Sequence, residues 1–163
     1  MATETPQALA TPDHANIVAL PPVLYLGALV AGLLTESAVG GAIPGPDLLR
    51  WIAGGLAVAA GSVGSVLCTR RFEDAGQDKS PFSPTTTLVT DGLYARSRNP
   101  AYVSLTVVYV GLALLLDNPW MLAFLLPVLV LMHYGVILRE EHYLALKFGE
   151  EYVDYQAKVR RWI

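Results

Sequence analysis

The sequence predicts an all-α polytopic membrane protein with four transmembrane helices, the last two a helical hairpin, and a cytoplasmic C-terminal helical cap. Three observations predict it. The 163-residue chain is 53% hydrophobic and only 15% charged, with a mean hydropathy of +0.44, above the balance of an ordinary soluble domain. The apolar residues are gathered into uncharged blocks: 17–35 and 51–69 run 19 residues each, 101–116 runs 16 and 118–138 runs 21. These blocks also lack the polar stripe that a water-facing helix repeats every 3.6 residues, which argues against a soluble helical bundle.

A bilayer core takes about 20 apolar residues per helix, fewer where the helix tilts less or the bilayer thins. The blocks therefore predict helices over about 17–37, 49–69, 100–116 and 118–139. The first block has no basic residue before it and is too long for the apolar part of a cleaved signal peptide. Residues 1–16, rich in Ala, Thr and Pro without periodicity, are expected to be mobile, which leaves 17–163 as one membrane domain. In the second helix Ala57, Gly61 and Ser65 fall four apart and predict a smooth face for close helix contact. Asp117-Asn118-Pro119 is short enough only for a tight turn, so the third and fourth helices should form an antiparallel hairpin.

The connection 70–99 carries Pro81, Pro84, three consecutive threonines and an Asp91-Gly92 turn signal. Its Phe82, Leu88, Val89, Leu93 and Tyr94 favour a loop packed against the protein, and so long a connection in so small a chain points to function. In the tail 140–163, Leu144, Phe148, Tyr152, Tyr155 and Val159 share one helical face opposite Lys147, Glu150, Glu151, Asp154 and Lys158. That pattern predicts an amphipathic cover, with a break at Phe148-Gly149 because glycine weakens a helix by about 1 kcal/mol.

Basic residues set the topology. Arg70, Arg71, Lys79, Arg96 and Arg98 lie in the middle connection, and Arg139, Lys147, Lys158, Arg160 and Arg161 in the tail, whereas the other connections hold only Arg50. The positive-inside rule puts the middle connection, the tail and, by parity, the N-terminus in the cytoplasm. The Ala- and Gly-rich composition suggests a bacterial inner membrane. A net charge of −3 says little by itself; no nucleic-acid partner is expected, and the single Cys68 excludes an internal disulfide and offers no zinc cluster.

Two clusters flank the predicted hairpin on its basic side: Arg96, Arg98, Asn99 and Tyr102, then Arg139, Glu140, Glu141, His142 and Tyr143. Folding the hairpin should bring Arg98 beside Glu140 or Glu141. Interface anchoring suffices for Arg70, Arg71, Arg139, Arg160 and Arg161, but an anchor does not require the Asn-Pro-x-Tyr that follows Arg98. His133, inside the fourth helix, is a secondary candidate as an intramembrane ionisable group.

The stretches "TTLVTDGLYARSRNPAYVS" and "EEHYLALKFGEEYVDYQAKVRRWI" resemble the isoprenylcysteine carboxyl methyltransferase family, with its wider group of phospholipid methyltransferase-like membrane proteins. The pattern is Gly92-x-Tyr94, Arg98-Asn99-Pro100-x-Tyr102, a hairpin, Glu140-Glu141, Phe148-Gly149, Tyr152 and Tyr155. Asn99 stands where eukaryotic members have histidine, and Ser104 where glycine is frequent. The resemblance implies methyl transfer from S-adenosyl-L-methionine to a lipid-like or prenylated acceptor, carboxylate O-methylation being favoured, with no metal. It implies Arg98, Glu140 and Glu141 as catalytic residues. It implies a cofactor site made of Gly92, Tyr94, Arg98, Asn99, Pro100, Tyr102, Tyr134, Glu140 and Glu141. Arg96 and Arg98 at the membrane edge lean toward an anionic acceptor group. A nicotinamide-dependent sterol-type reductase, which shares a similar first half, and a non-enzymatic membrane scaffold remain the alternative readings.

Overall fold

A computed structural model of the protein describes residues 14–76 and 85–163. The expectations on residues 1–13 and on Lys79, Pro81, Phe82 and Pro84 lie outside the described residues. All regular structure among the described residues is helical: α1 (Pro21–Val39), α2 (Asp47–Asp74), a 3-10 turn (Gly92–Ala95), α3 (Pro100–Leu115), α4 (Pro119–Leu131), a π turn (Met132–Ile137), α5 (Leu138–Phe148) and α6 (Glu150–Lys158). The segments from α4 through the π turn to α5 form one continuous helix, Pro119–Phe148.

Prolines mark the starts. α1, α3 and α4 each begin with proline in the first turn, where its missing N–H costs nothing and its fixed φ suits a helix. This is why α1 starts at Pro21 and not at residue 17: residues before a proline are pushed out of the helical region. α2 runs past the apolar block to Asp74, since nothing between Arg70 and Asp74 breaks a helix. Gly149, at φ 55°, separates α5 from α6, in a conformation that a side chain would disfavour.

By length and composition, α1, α2 and Pro119–Phe148 can each cross a membrane. α3 has 16 residues and spans about 24 Å at the helical rise, short of a core of about 30 Å. Large apolar side chains such as Leu26, Leu34, Leu56, Val63, Leu126 and Val130 are exposed, as suits helices whose outer faces meet lipid.

The helices alternate in direction. At one end the Val18 N–H donates to the Gly135 carbonyl (3.0 Å), and Arg139 donates to the Asn16 carbonyl (2.8 Å). Residues 14–16, part of the segment expected to be mobile, are thus tied down, and Ala15 is buried. At the other end Asn118 caps α4 by accepting from the Met121 N–H (2.9 Å) and donates to the Gly32 carbonyl of α1 (3.2 Å). There Asp117 accepts from the Ile43 N–H (2.7 Å) and pairs with Arg50 (3.2 Å).

The hairpin of α3 and α4 is antiparallel, but its two helices pack chiefly on other partners: α3 on α2, and α4 on α1. Glycines decide this. A Cβ on Gly61 would sit 2.6 Å from the Ser104 carbonyl oxygen, and one on Gly111 would sit 2.8 Å from the Gly54 carbonyl oxygen. Gly54, Gly61 and Gly64 of α2 therefore make close contacts with α3, and Gly61 belongs to the expected Ala57–Gly61–Ser65 row. Gly32 plays the same part toward Met121 on the α1–α4 side.

Candidate active site

Where the apolar part of the last helix ends, the connection before α3, the start of α3, α5 and α6 enclose a cavity of about 290 Å³. Its lining includes Phe72, Thr85, Leu88, Tyr94, Arg98, Asn99, Tyr102, Glu140, Glu141, Tyr143, Tyr152 and Tyr155.

Charge in the cavity is organised around Glu141. Arg98 Nη2 lies 2.9 Å from Glu141 Oε1, and both side chains are about nine-tenths buried. Arg161 adds a bidentate pair to the same carboxylate, Nε to Oε1 at 2.9 Å and Nη2 to Oε2 at 2.8 Å. Planar guanidinium and carboxylate groups match in this geometry, which makes such pairs strong and directional. Arg98 Nη1 also donates to the Gln156 carbonyl (3.3 Å), while Arg98 Nε is buried without a partner.

Glu140 faces elsewhere, as adjacent residues on a helix must, being about 100° apart. Its Oε1 accepts from the Tyr102 hydroxyl at 2.6 Å. Tyr102 reaches it from the first turn of α3, so this bond ties the two ends of the hairpin together. Among the described residues Glu140 has no ion-pair partner.

The tail locks the arginine motif in place. After α6 the chain becomes extended at Val159. The Arg98 N–H donates to the Arg160 carbonyl (2.9 Å), and Asn99 Nδ2 donates to the Arg161 carbonyl (2.9 Å). Asn99 precedes α3 but does not cap it with its side chain; its amide nitrogen holds the tail. Tyr155 donates to the Tyr94 carbonyl at 2.7 Å. Burial pushes the phenols of Tyr152 and Tyr155 up to about 12 and that of Tyr94 higher still. These rings therefore stay neutral and present hydroxyl groups and π faces.

Of the residues expected to form the site, Tyr94, Arg98, Asn99, Tyr102, Glu140 and Glu141 line the cavity. Pro100 is buried at the start of α3 and holds the turn without lining it. The structure puts Gly92, at φ 60°, outside the cavity, on a different groove with Arg96. Tyr134 is also outside: it is 65% exposed and faces an apolar groove between α3 and α4 with His133 and Trp162. Five residues of helix, partly in π geometry, separate Tyr134 from Glu140 and turn it away from the cavity. Sequence reasoning missed Phe72 and treated Arg161 only as an interface anchor. Tyr143 belongs to the second cluster but not to the expected site residues, although it lies three residues after Glu140, on a neighbouring part of the same helical face. Nothing local marks Arg161, which arrives only through the extended tail.

A bundle of long apolar helices with a charged, tyrosine-lined cavity at one end of its last hairpin defines a membrane protein with an enzyme-like site. The family model described as phospholipid methyltransferase matches residues 49–151, more than half of the chain, and the protein belongs to that family. The match takes in Arg98, Tyr102, Glu140 and Glu141 and stops before Tyr152, Tyr155 and Arg161. A protein-S-isoprenylcysteine O-methyltransferase of Schizosaccharomyces pombe is 42% identical over 74 residues, which are 44% of this chain and 30% of that enzyme. The chain thus spans less than a third of that relative's length. An uncharacterized protein of Haemophilus influenzae is 41% identical over 64 residues, 38% of this chain and 98% of that protein. No solved structure matches the chain significantly.

Proposed function

We propose that the protein transfers a methyl group from S-adenosyl-L-methionine to a carboxylate on a lipid-like or prenylated acceptor, in the cavity between the hairpin ends. The observation that carries this reading is the meeting of Arg98–Glu141 with Tyr102–Glu140 in one cavity at the end of an apolar bundle.

The residues present fit the cofactor's charges. Glu140 is a carboxylate with only a tyrosine hydroxyl as partner, suited to an ammonium or a ribose hydroxyl. The buried, unpartnered Nε of Arg98 is a donor aimed at an acceptor the protein does not supply. Tyr94, Tyr102, Tyr152 and Tyr155 offer π faces toward a sulfonium or an adenine. When bound, S-adenosyl-L-methionine supplies an electrophilic methyl group, so the protein's work is alignment and exclusion of water.

Carboxylate O-methylation suits the chemistry of the site. Arg98 and Arg161 balance Glu141 and Glu140, and the unpartnered Nε of Arg98 is left as a donor for an anionic acceptor. A carboxylate is already ionised at neutral pH and needs no general base, whereas an amine would have to lose a proton first. Glu141, with both oxygens held by arginines, acts by positioning Arg98; Glu140 is the carboxylate left to touch the ligand.

The test is transfer of a radiolabelled methyl group by the purified full chain, with a prenylated cysteine and an aminophospholipid offered in parallel. Label in the prenylated cysteine, released as methanol by alkali, is the expected result. Alkali-stable label in the aminophospholipid would replace ester formation by N-methylation. Stabilisation against heat by NADPH and not by S-adenosyl-L-methionine would overturn methyl transfer itself.

A further inference from the structure

We propose that the groove between the last turns of α2 and the 3-10 turn Gly92–Ala95 binds the phosphate headgroup of an anionic phospholipid from the surrounding leaflet. The groove encloses about 520 Å³ and is separate from the cavity described above, with Tyr94 as the wall they share. Its floor is the buried Cys68 and Tyr94, and its rim carries Arg70, Arg71 and Arg96.

The arginines are unequally occupied. Arg71 is held by the carboxylate of Asp91. The side chains of Arg70 and Arg96, both exposed residues, have no hydrogen-bond or ion-pair partner among the described residues. Asp74 also lines the groove, so three arginines against Asp74 and Asp91 leave one net positive charge. Two free guanidinium groups over an apolar floor suit a phosphate with a greasy body attached, since arginine recognises phosphate through paired, planar donors.

Position favours a lipid over a soluble phosphate. Arg70 and Arg71 are the first charged residues after the uncharged block 51–69, the level at which headgroups meet a spanning helix. Leu67, at the groove, and Val63, one turn earlier on α2, are both largely exposed and continue the groove as a track for an acyl chain. Arg96 and Arg98, two residues apart, thus serve different sites: Arg98 faces the cavity and Arg96 the lipid.

The test is lipid retention by the full chain purified from nanodiscs of equal parts phosphatidylglycerol and phosphatidylcholine, read by native mass spectrometry. The wild-type chain should keep phosphatidylglycerol in preference. Arg96→Gln should reduce the preference about fivefold, and Arg70→Gln with Arg96→Gln more than about tenfold, from the attraction of an interfacial arginine to anionic lipid. Both side chains are exposed, so the variants should melt as the parent does. Arg139→Gln, also at the end of an apolar block but outside the groove, should keep the preference. Absence of a preference in the parent chain, an equal loss in Arg139→Gln, or full competition by inorganic phosphate would each overturn the proposal.

Discussion

Glu141 is the residue on which the site turns, because one carboxylate satisfies two guanidinium groups at once. Removing one partner of a buried pair is far more costly than the pair is worth, since the remaining charge stays desolvated. Glu141→Gln strands both Arg98, about nine-tenths buried, and Arg161, two-thirds buried. It should lower stability by about 3–5 kcal/mol, measurable as a lower unfolding midpoint in detergent. Arg161→Ala leaves the Arg98–Glu141 pair intact and should cost clearly less in the same measurement. Tyr102→Phe tests the other carboxylate. It removes one hydrogen bond to Glu140 and, as a charge-assisted bond is worth about 1.5 kcal/mol or more, should weaken S-adenosyl-L-methionine binding by about tenfold. Calorimetric titration checks this, and an unchanged affinity would remove Glu140 from the cofactor's contacts. That the two adjacent glutamates would face different partners was legible in the sequence from helix geometry alone. That Arg161 would join Arg98 on Glu141 was not, because Arg161 lies 20 residues further along the chain and reaches Glu141 only after α6 has turned back.

At the scale of elements, the contact between α2 and α3 decides how the bundle opens. Gly61 and Gly111 allow the two backbones to touch, and this commits α3 to α2 and leaves α4 to α1. Gly61→Ala should force the helices apart against backbone atoms 2.6 and 2.8 Å from the new Cβ, costing about 1–3 kcal/mol. Gly55→Ala, whose Cβ would meet nothing within 4 Å, should be neutral or stabilise by about 0.5–1 kcal/mol through helix propensity. Thermal unfolding of the two variants side by side separates packing from propensity. Sequence spacing found the small-residue face and Gly61 in it but not the part Gly54 and Gly64 play, since a regular four-residue repeat cannot tell which of several small residues the partner helix meets. The π turn Met132–Ile137 was likewise invisible, having no fixed sequence sign, yet it contains Tyr134, which faces outward, and ends three residues before Glu140, which faces the cavity.

At the scale of the whole molecule, alternation of the helices puts residues 14–20, the connection 85–99 and the tail on one side, and the turns around residues 40–46 and 117 on the other. Cys68 is only 2% exposed, so an added cysteine reports its own position. Ser37→Cys should react with a membrane-impermeant maleimide in intact cells, and Ala157→Cys only after the membrane is opened; the reverse pattern would invert the orientation that the basic residues predict. The sequence by itself determined the class of the molecule: uncharged apolar blocks of near-bilayer length and a charged motif at each end of a hairpin. Those features are local, and hydropathy and helix periodicity read them directly. Only the tertiary structure decided which side chains share the cavity. It brought in Phe72, set Arg161 behind Glu141, turned Tyr134 outward, and assigned Arg96 and Gly92 to a separate groove. The reason is physical: a side chain's neighbours across the fold depend on where helices touch and how the tail returns, and those contacts are set by packing between residues far apart in the chain.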